Sequence, residues 1–514
     1  MTTLELANTQ NGADKWQRLA PAAMIHFAVK FVMQFIKQGV QGLLPLGVVF
    51  LSAGEKRWFA IAMIGVGIIL LLLVGTVLSY LKFRFRLAGD TFLIQQGVFK
   101  RKRLSLSYDR IQNVVFKQPI YFRPFNLVAL GIESAGSSGE EVSLGGISRT
   151  MAEEIRTSIF EKRSSNASST NSDVENAETI DIAPSDAEEI IRQPISELIR
   201  YGLSNNQIWI FAGLGASLTA QVDWEDYAVL TGLRDWIQAI ADQGDAIAAL
   251  IAVGGFLGFI ALILSVSVAG AIISYYQYHL TRTDGRFHRT KGLFERQETS
   301  LPQSKVQSLM IKQGWPARLL NRYHLIMRQV GFSKPGSNTS SDSKFLVPSA
   351  TKAFSRKFSA ILYPNFSWSE DQLKQIDRAF TRRIVVWMIL PICMIPAIAL
   401  SIIFSPVALA ILLVPLLLTP VIMLRRAQYG YATDGQHGIV RSGFIGHKLF
   451  LFPFYKVQTV KFWQTPGQRT KGLASLTIKL AGFSVEIPYM PLADAEAWRD
   501  QILHQVESRT DKWM

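Results

Sequence analysis

The chain has 514 residues, a net charge of +15, 49% apolar and 18% charged residues, and a mean hydropathy of +0.19. That balance is unusual for a soluble protein and ordinary for one with several membrane spans, whose basic loops also account for the charge. A single cysteine, Cys393, excludes an intramolecular disulfide and any multi-cysteine metal site, and its apolar surroundings predict a buried, inert thiol.

The first fifteen or so residues are polar, and Met1 to Gln17 lacks the basic and apolar regions of a secretory signal. From Trp16 to Lys37, Ile25, Val29, Val32 and Ile36 recur at helical spacing. This predicts an interfacial helix running into a first span that ends near Ala53. Trp58 to Leu81 carries no charge and is long enough to cross ~30 Å of hydrocarbon, which makes 16–81 a membrane hairpin. Strand-like sequence follows over 82–163, with paired strands at Val128–Ser134 and Glu141–Leu144. A helix closes it at Thr150–Lys162, with Ile155 and Ile159 on one face. Residues 164–194 are acidic and rich in Ser and Asn, and are expected to be a disordered linker.

The pattern then restarts. A second hairpin over 195–276 contains the uncharged runs Tyr201–Val222 and Ala246–Tyr278, and a second strand-rich domain fills 277–362. Its polar insert is Ser333–Lys344, and its closing helix carries Phe354 and Phe358. Residues 384–424 hold 41 uncharged positions, twice what one span needs, with Ser405-Pro406 as the expected turn. The third domain, 425–508, ends in a helix with Trp498 and Ile502 one turn apart. Lys and Arg flank the hairpins on the domain side. The positive-inside rule therefore places the three domains and both termini in the cytoplasm of a six-span protein.

The domains are one repeat used three times. Without a gap, 97–130, 292–325 and 443–476 keep in register a leading glycine (Gly97, Gly292, Gly443) and a cation two before a glutamine. These pairs are Arg110/Gln112, Lys305/Gln307 and Lys456/Gln458. A second glutamine (Gln118, Gln313, Gln464), an arginine (Arg123, Arg318, Arg469) and a closing leucine (Leu130, Leu325, Leu476) follow. An Asp-Gly turn opens two copies (Asp284-Gly285, Asp434-Gly435) where the first has Gly89-Asp90. Asn126 and Asn321 stand where the third copy has Gly472, an exchange that points to a left-handed turn rather than ligand chemistry.

A two-span hairpin followed by G-[FVL]-[FI], [RK]-[IV]-Q and Q-x4-R resembles the bacterial pleckstrin-homology-like, membrane-flanked domain family, in its YdbT-like, three-domain form. The resemblance covers about Trp16 to Val506 apart from the acidic linker. It implies a membrane α plus β fold: three repeats of a transmembrane helical hairpin followed by a PH-like antiparallel β-barrel of about seven strands, capped by a C-terminal helix. It also implies a bacterial inner membrane and a role in envelope stress or bacteriocin tolerance, and it brings no catalytic residues.

The cation and glutamine of each pair share one strand face, which fits a structural or membrane-facing polar stripe as readily as a ligand site. Arg123, Arg318 and Arg469 suit bidentate bonds to a lipid phosphate, or pairing with an acidic side chain. Lys100, Arg101, Lys102 and Arg103 form a cation run unique to the first copy, which fits a solvated hairpin tip or an anchor to an anionic leaflet, where each cation contributes roughly 1 kcal/mol. Gly254-Gly255-x-x-Gly258 suits helix contact in a bilayer. Metalloprotease, hydrolase, phosphate-loop and calcium-loop signatures are absent, as are nucleic-acid-binding ones. The expectation is a non-enzymatic protein without cofactor or nucleic-acid partner, its modules binding a protein or anionic lipid. The alternative is a transporter or export accessory for membrane-active peptides, since half of each unit is membrane-embedded.

Overall fold

The computed structural model describes residues 16–42, 57–88, 91–97, 101–108, 111–134, 140–168, 187–204, 245–329, 345–364, 366, 372–403, 406–444, 446–481 and 483–508. They fall into two compact units, Met1–Ile190 with Leu280–Leu301, and Ile191–His279 with Pro302–Met514.

In the first unit, α1 (Ala23–Gly42) and α2 (Arg57–Lys82) precede the strands. The 26 residues of α2 span ~39 Å at 1.5 Å each. Its Leu70, Leu71 and Leu73 are exposed, as befits a helix whose solvent is lipid. Antiparallel β1 (Arg84–Ala88), β2 (Thr91–Gln96) and β3 (Lys102–Ser107) form one sheet. β4 (Ile111–Pro119), β5 (Leu127–Ser134) and β6 (Glu140–Ser148) start another. One core joins the two: Phe85, Phe92, Ile94 and Leu106 from the first, Ile111, Leu130, Ile132 and Leu144 from the second. α3 (Arg149–Ser168) closes it with buried Ile155 and Ile159, the pair marked by their spacing. The Ser148 hydroxyl caps the helix by accepting from the Met151 amide at 3.2 Å.

The second sheet does not end at β4. It continues into β10 (Glu295–Pro302), β9 (Arg286–Lys291), β8 (His279–Thr283) and β7 (Glu188–Arg192), all from the second repeat, in the order β6-β5-β4-β10-β9-β8-β7. β8 and β9 turn through Asp284 (φ +48°) and Gly285 (φ +69°), a two-residue hairpin loop with both residues left-handed. Gly89-Asp90 of the first copy lies outside the described residues. The expected linker needs correction at both ends: α3 runs to Ser168, and 188–192 is a strand. The β-branched pair Ile190-Ile191 favours extension, and Glu188 lies 4.0 Å from Arg282.

In the second unit, α4 (Ile195–Ser204) packs on α5 (Asp245–Tyr275). The close approach is at Gly202, where a Cβ would lie 2.6 Å from Val268 Cα. No described atom lies within 4 Å of a Cβ built on Gly254, Gly255 or Gly258. β11 (Val306–Gln313), β12 (Tyr323–Gln329) and β13 (Phe345–Ala350) are followed by α6 (Lys352–Leu362), capped by Thr351 and burying Phe358. After β14 (Lys374–Gln375), α7 (Ala379–Ile403) and α8 (Leu413–Gln428) follow, with a 3-10 turn from Pro406 between them. Cys393 is half-buried on α7. Then come β15 (Gly430–Thr433), β16 (His437–Gly443) and β17 (His447–Pro453). β18 (Val457–Trp463), β19 (Leu473–Leu480), β20 (Phe483–Pro491) and α9 (Leu492–Glu507) complete the chain. Again one sheet crosses the repeat boundary, in the order β13-β12-β11-β17-β16-β15-β14, and β18-β19-β20 stands alone. The third copy keeps its own core: Tyr431, Phe452 and Phe454 meet Leu476, Ile478 and Ile487 beneath Trp498 and Ile502.

The first and third copies each close two half-sheets around a core, and consecutive copies are joined edge to edge by β4 with β10 and β11 with β17. Among the described residues, four helices are long and apolar enough to cross a membrane: Gly65–Lys82, Val253–Tyr275, Ala379–Ile403 and Leu409–Gln428. The other two spans expected, ending near Ala53 and covering Tyr201–Val222, fall largely outside the described residues.

Candidate functional site: the repeat frame, exposed cations and strand edges

The repeated positions serve the backbone first. Gly97 and Gly292 adopt φ +107° and +110°, and a Cβ on Gly443 would sit 2.0 Å from the Gly446 carbonyl oxygen. Asn126 (φ +50°), Asn321 (+49°) and Gly472 (+60°) are all left-handed, as the exchange between them implied. Their amides donate to the carbonyls of Arg123, Arg318 and Arg469 at 3.2, 3.2 and 3.3 Å. The second glutamine ties two strands: Gln118 Nε2 donates to the Leu127 carbonyl (3.3 Å) and Gln464 Nε2 to that of Leu473 (2.8 Å).

A third repeated left-handed position escaped the sequence reading, because three different residues occupy it. Gly146 (φ +86°) and Tyr489 (+54°) sit two residues before the residue opposite the start of the preceding strand, and Ser349 (+49°) sits one before it. A register shift lies beside each, at Val128/Ala129, Tyr323/Leu325 and Ala474/Leu476. These bulges receive the segment that leads into the membrane. The Ala20 amide donates to the Gly146 carbonyl (3.1 Å), and the Asp377 amide to that of Tyr489 (3.0 Å). In the second copy, Ser349 Oγ donates to Glu197 at 2.6 Å.

That carboxylate anchors a polar cluster in the second copy. Arg322 donates to Glu197 from Nε (2.7 Å) and Nη2 (2.9 Å), and Arg200 also pairs with it. The Arg322 bonds, aided by Ser349, hold the Glu197 pKa down at about 2. Beside it His324 is buried. Its Nδ1 accepts from the Ser349 amide (3.4 Å), so the neutral ring carries its proton on Nε2 toward Ser204 Oγ (3.1 Å). Ser204 Oγ donates onward to the Tyr201 carbonyl. Burial, with Lys312 nearby, lowers the His324 pKa to about 4.

Of the residues singled out for binding, Arg101, Lys102 and Arg103 are exposed on or beside β3, and Lys100 lies outside the described residues. Arg123, Arg318 and Arg469 are exposed at three separate turns. Arg123 Nη2 donates to the Leu293 carbonyl at 2.5 Å. The frame glutamines differ. Gln307 is fully buried on β11, with no partner for either amide atom among the described residues, while Gln458 is exposed on β18. Gln112 lies on β4, and Arg110 lies outside the described residues. Lys456 is buried, and its ammonium donates to the Ser304 and Val306 carbonyls at 2.5 and 2.6 Å, bridging the second and third copies. Among the described residues, no three His, Cys, Asp or Glu are placed to hold a metal.

A triplicated strand frame of this kind, each copy entered from a membrane helix, defines a membrane-linked PH-like protein. The family model for the bacterial PH domain matches residues 40–163, 246–353 and 387–506, and the chain belongs to that family. It is similar to the UPF0699 transmembrane protein YdbT of Bacillus subtilis (strain 168), with 26% identity over 302 residues. That match covers 58% of this chain and 59% of the relative.

Proposed function

We propose that the chain is a six-span protein of the bacterial inner membrane that holds three non-catalytic PH-like modules against the cytoplasmic leaflet. There they bind anionic lipid headgroups, in a role within envelope stress or bacteriocin tolerance. One observation carries the topology. Each membrane excursion leaves and rejoins the protein on neighbouring backbone. Gln17 and Phe85 exchange amide bonds at 2.8 and 3.1 Å, the Gln193 amide donates to the Tyr278 carbonyl (3.0 Å), and Lys374 and Gln375 pair with Tyr431 and Gly430. A chain that departs and returns on one side crosses the bilayer an even number of times, which supports two spans in each excursion. The strands also start at the helix ends, Arg84 two residues after Lys82 and Gly430 two after Gln428. The ends of the modules next to the helices then lie nearest the headgroups, and Arg103, opposite Gln95 and so one strand beyond Arg84, stands at that end, which favours a role for the cation run there.

The test reconstitutes the full chain in mixed neutral and anionic lipid, re-extracts it in detergent and measures retained lipid by mass spectrometry. Enrichment of anionic over neutral lipid, abolished in the R101S/K102S/R103S variant, is the expected result. Equal retention of both lipids by the native chain defeats the lipid reading. Cysteine labelling confined to right-side-out cells at positions within 430–508 defeats the orientation.

A further inference from the structure

The two edge-to-edge junctions obey one rule. β4 pairs with β10 through Gln118↔Arg296, Lys117↔Gln297, Phe116↔Glu298 and Val115↔Thr299. β11 pairs with β17 through Gln313↔His447, Lys312↔Lys448, Ile311↔Leu449 and Met310↔Phe450. Counted from the leading glycines, these are the same repeat positions, so the register is identical. The strand that carries the first repeated glutamine in one copy always takes the strand after the leading glycine of the next. Three copies in a row leave one of each unused. Among the described residues β3, at one end, and β18, at the other, have a single neighbour apiece.

The unused edge bears the mark of a missing partner. Gln307 and Ser308 on β11 are fully buried, whereas Gln458 and Thr459, the same repeat positions on β18, are exposed. An exposed edge strand is a template for a further strand unless its charges prevent pairing. Cations on β3 do not prevent it by the standard of this protein, since Lys312 lies directly opposite Lys448 in the established junction. That junction also stacks the Arg328 guanidinium on Phe450 and Phe483, at 5.9 and 4.9 Å. On β18, Phe462 already carries the Arg499 guanidinium at 5.7 Å, and the half-buried Trp463 beside it offers a second ring.

We infer that β18 of one copy of this chain pairs antiparallel with β3 of a second copy, continuing the repeat between molecules. The register follows from the two internal junctions: Gln464↔Arg101, Trp463↔Lys102, Phe462↔Arg103, Lys461↔Leu104 and Val460↔Ser105. Lys102 and Arg103 then face aromatic rings across the seam, and the cation run of the first copy acquires a docking role through its strand. This pairing uses backbone and does not rest on lipid binding by the same side chains, so either can fail alone.

The experiment uses the full chain in its membrane, with Cys393→Ser as background. One copy carries Ser105→Cys and a first tag, the other Val460→Cys and a second tag, co-expressed and mildly oxidised. Cysteines placed directly opposite on adjacent strands lie within disulfide reach. The expected result is a cross-linked species carrying both tags, at least tenfold stronger than with Thr459→Cys, which points to the other face of the strand. Native mass spectrometry of the Cys393→Ser protein should show the dimer without oxidation. No cross-link, with normal membrane levels of both copies, overturns the inference and leaves β3 an edge kept solvated by its charges. Cross-linking only within a doubly substituted single chain, or to a different polypeptide, overturns it as well.

Discussion

Replacing Glu197 with Ala removes the acceptor for Arg322 and for Ser349 Oγ in one step, and leaves both donors at the bulge of β13 without it. The carboxylate side chain is 15% exposed and that of Arg322 18%, so neither partner is readily rehydrated in place. A fall in pKa from 4.5 to about 2 corresponds to about 3.4 kcal/mol at 1.36 kcal/mol per pH unit. Solvent at the outer edge of the pair reduces that to about 2 kcal/mol. The carboxylate is stabilised as the anion, so the contribution is complete above pH 4.5 and disappears as pH falls toward 2. Hydrogen exchange of the full chain in nanodiscs should show local opening of 345–350 about thirtyfold more frequent in Glu197→Ala at pH 7. Strand 473–480, in the third copy, serves as the control. Glu197→Gln, which keeps one accepting oxygen, should lie between the two. Less than a threefold change at 345–350, or an equal change at 473–480, refutes the claim that this cluster locks the second copy to α4.

His324 predicts a second pH response of opposite chemistry. The folded state holds the ring neutral with a pKa of about 4 against an ordinary 6.5, so the unfolded chain binds the proton first. Stability of this region should fall between pH 6.5 and 4, by about 3 kcal/mol at the lower end, and a His324→Asn variant measured by thermal unfolding in detergent should lose that slope. Gly472, whose Cβ direction is open, should accept Asn with less than about 0.5 kcal/mol of loss, since Asn occupies the same turn in the other two copies. Gly472→Val should cost about 1–2 kcal/mol, read as a lowered melting temperature. Equal tolerance of both substitutions removes the backbone reading of that position.

The sequence alone determined what depends on periodicity and composition. The runs at Trp58–Leu81 and 384–424 are apolar because lipid demands it, and their helices were visible without tertiary information. Ile155/Ile159 and Trp498/Ile502 announced the buried faces of the closing helices, since only one face of such a helix meets a core. The exchange of Asn126, Asn321 and Gly472 revealed a left-handed turn, because few other residues adopt it cheaply. The third left-handed position stayed hidden: Gly146, Ser349 and Tyr489 share a backbone angle imposed by a bulge and share no side-chain chemistry. The cluster of Glu197, Arg322, Ser349 and His324 gathers residues more than a hundred positions apart, and no spacing rule reports that. The joining of sheets across repeats was decided by tertiary structure as well. Hydrogen bonds between backbones carry no residue signature, so β4 gives no sign in its own sequence that its neighbour is β10 rather than β3.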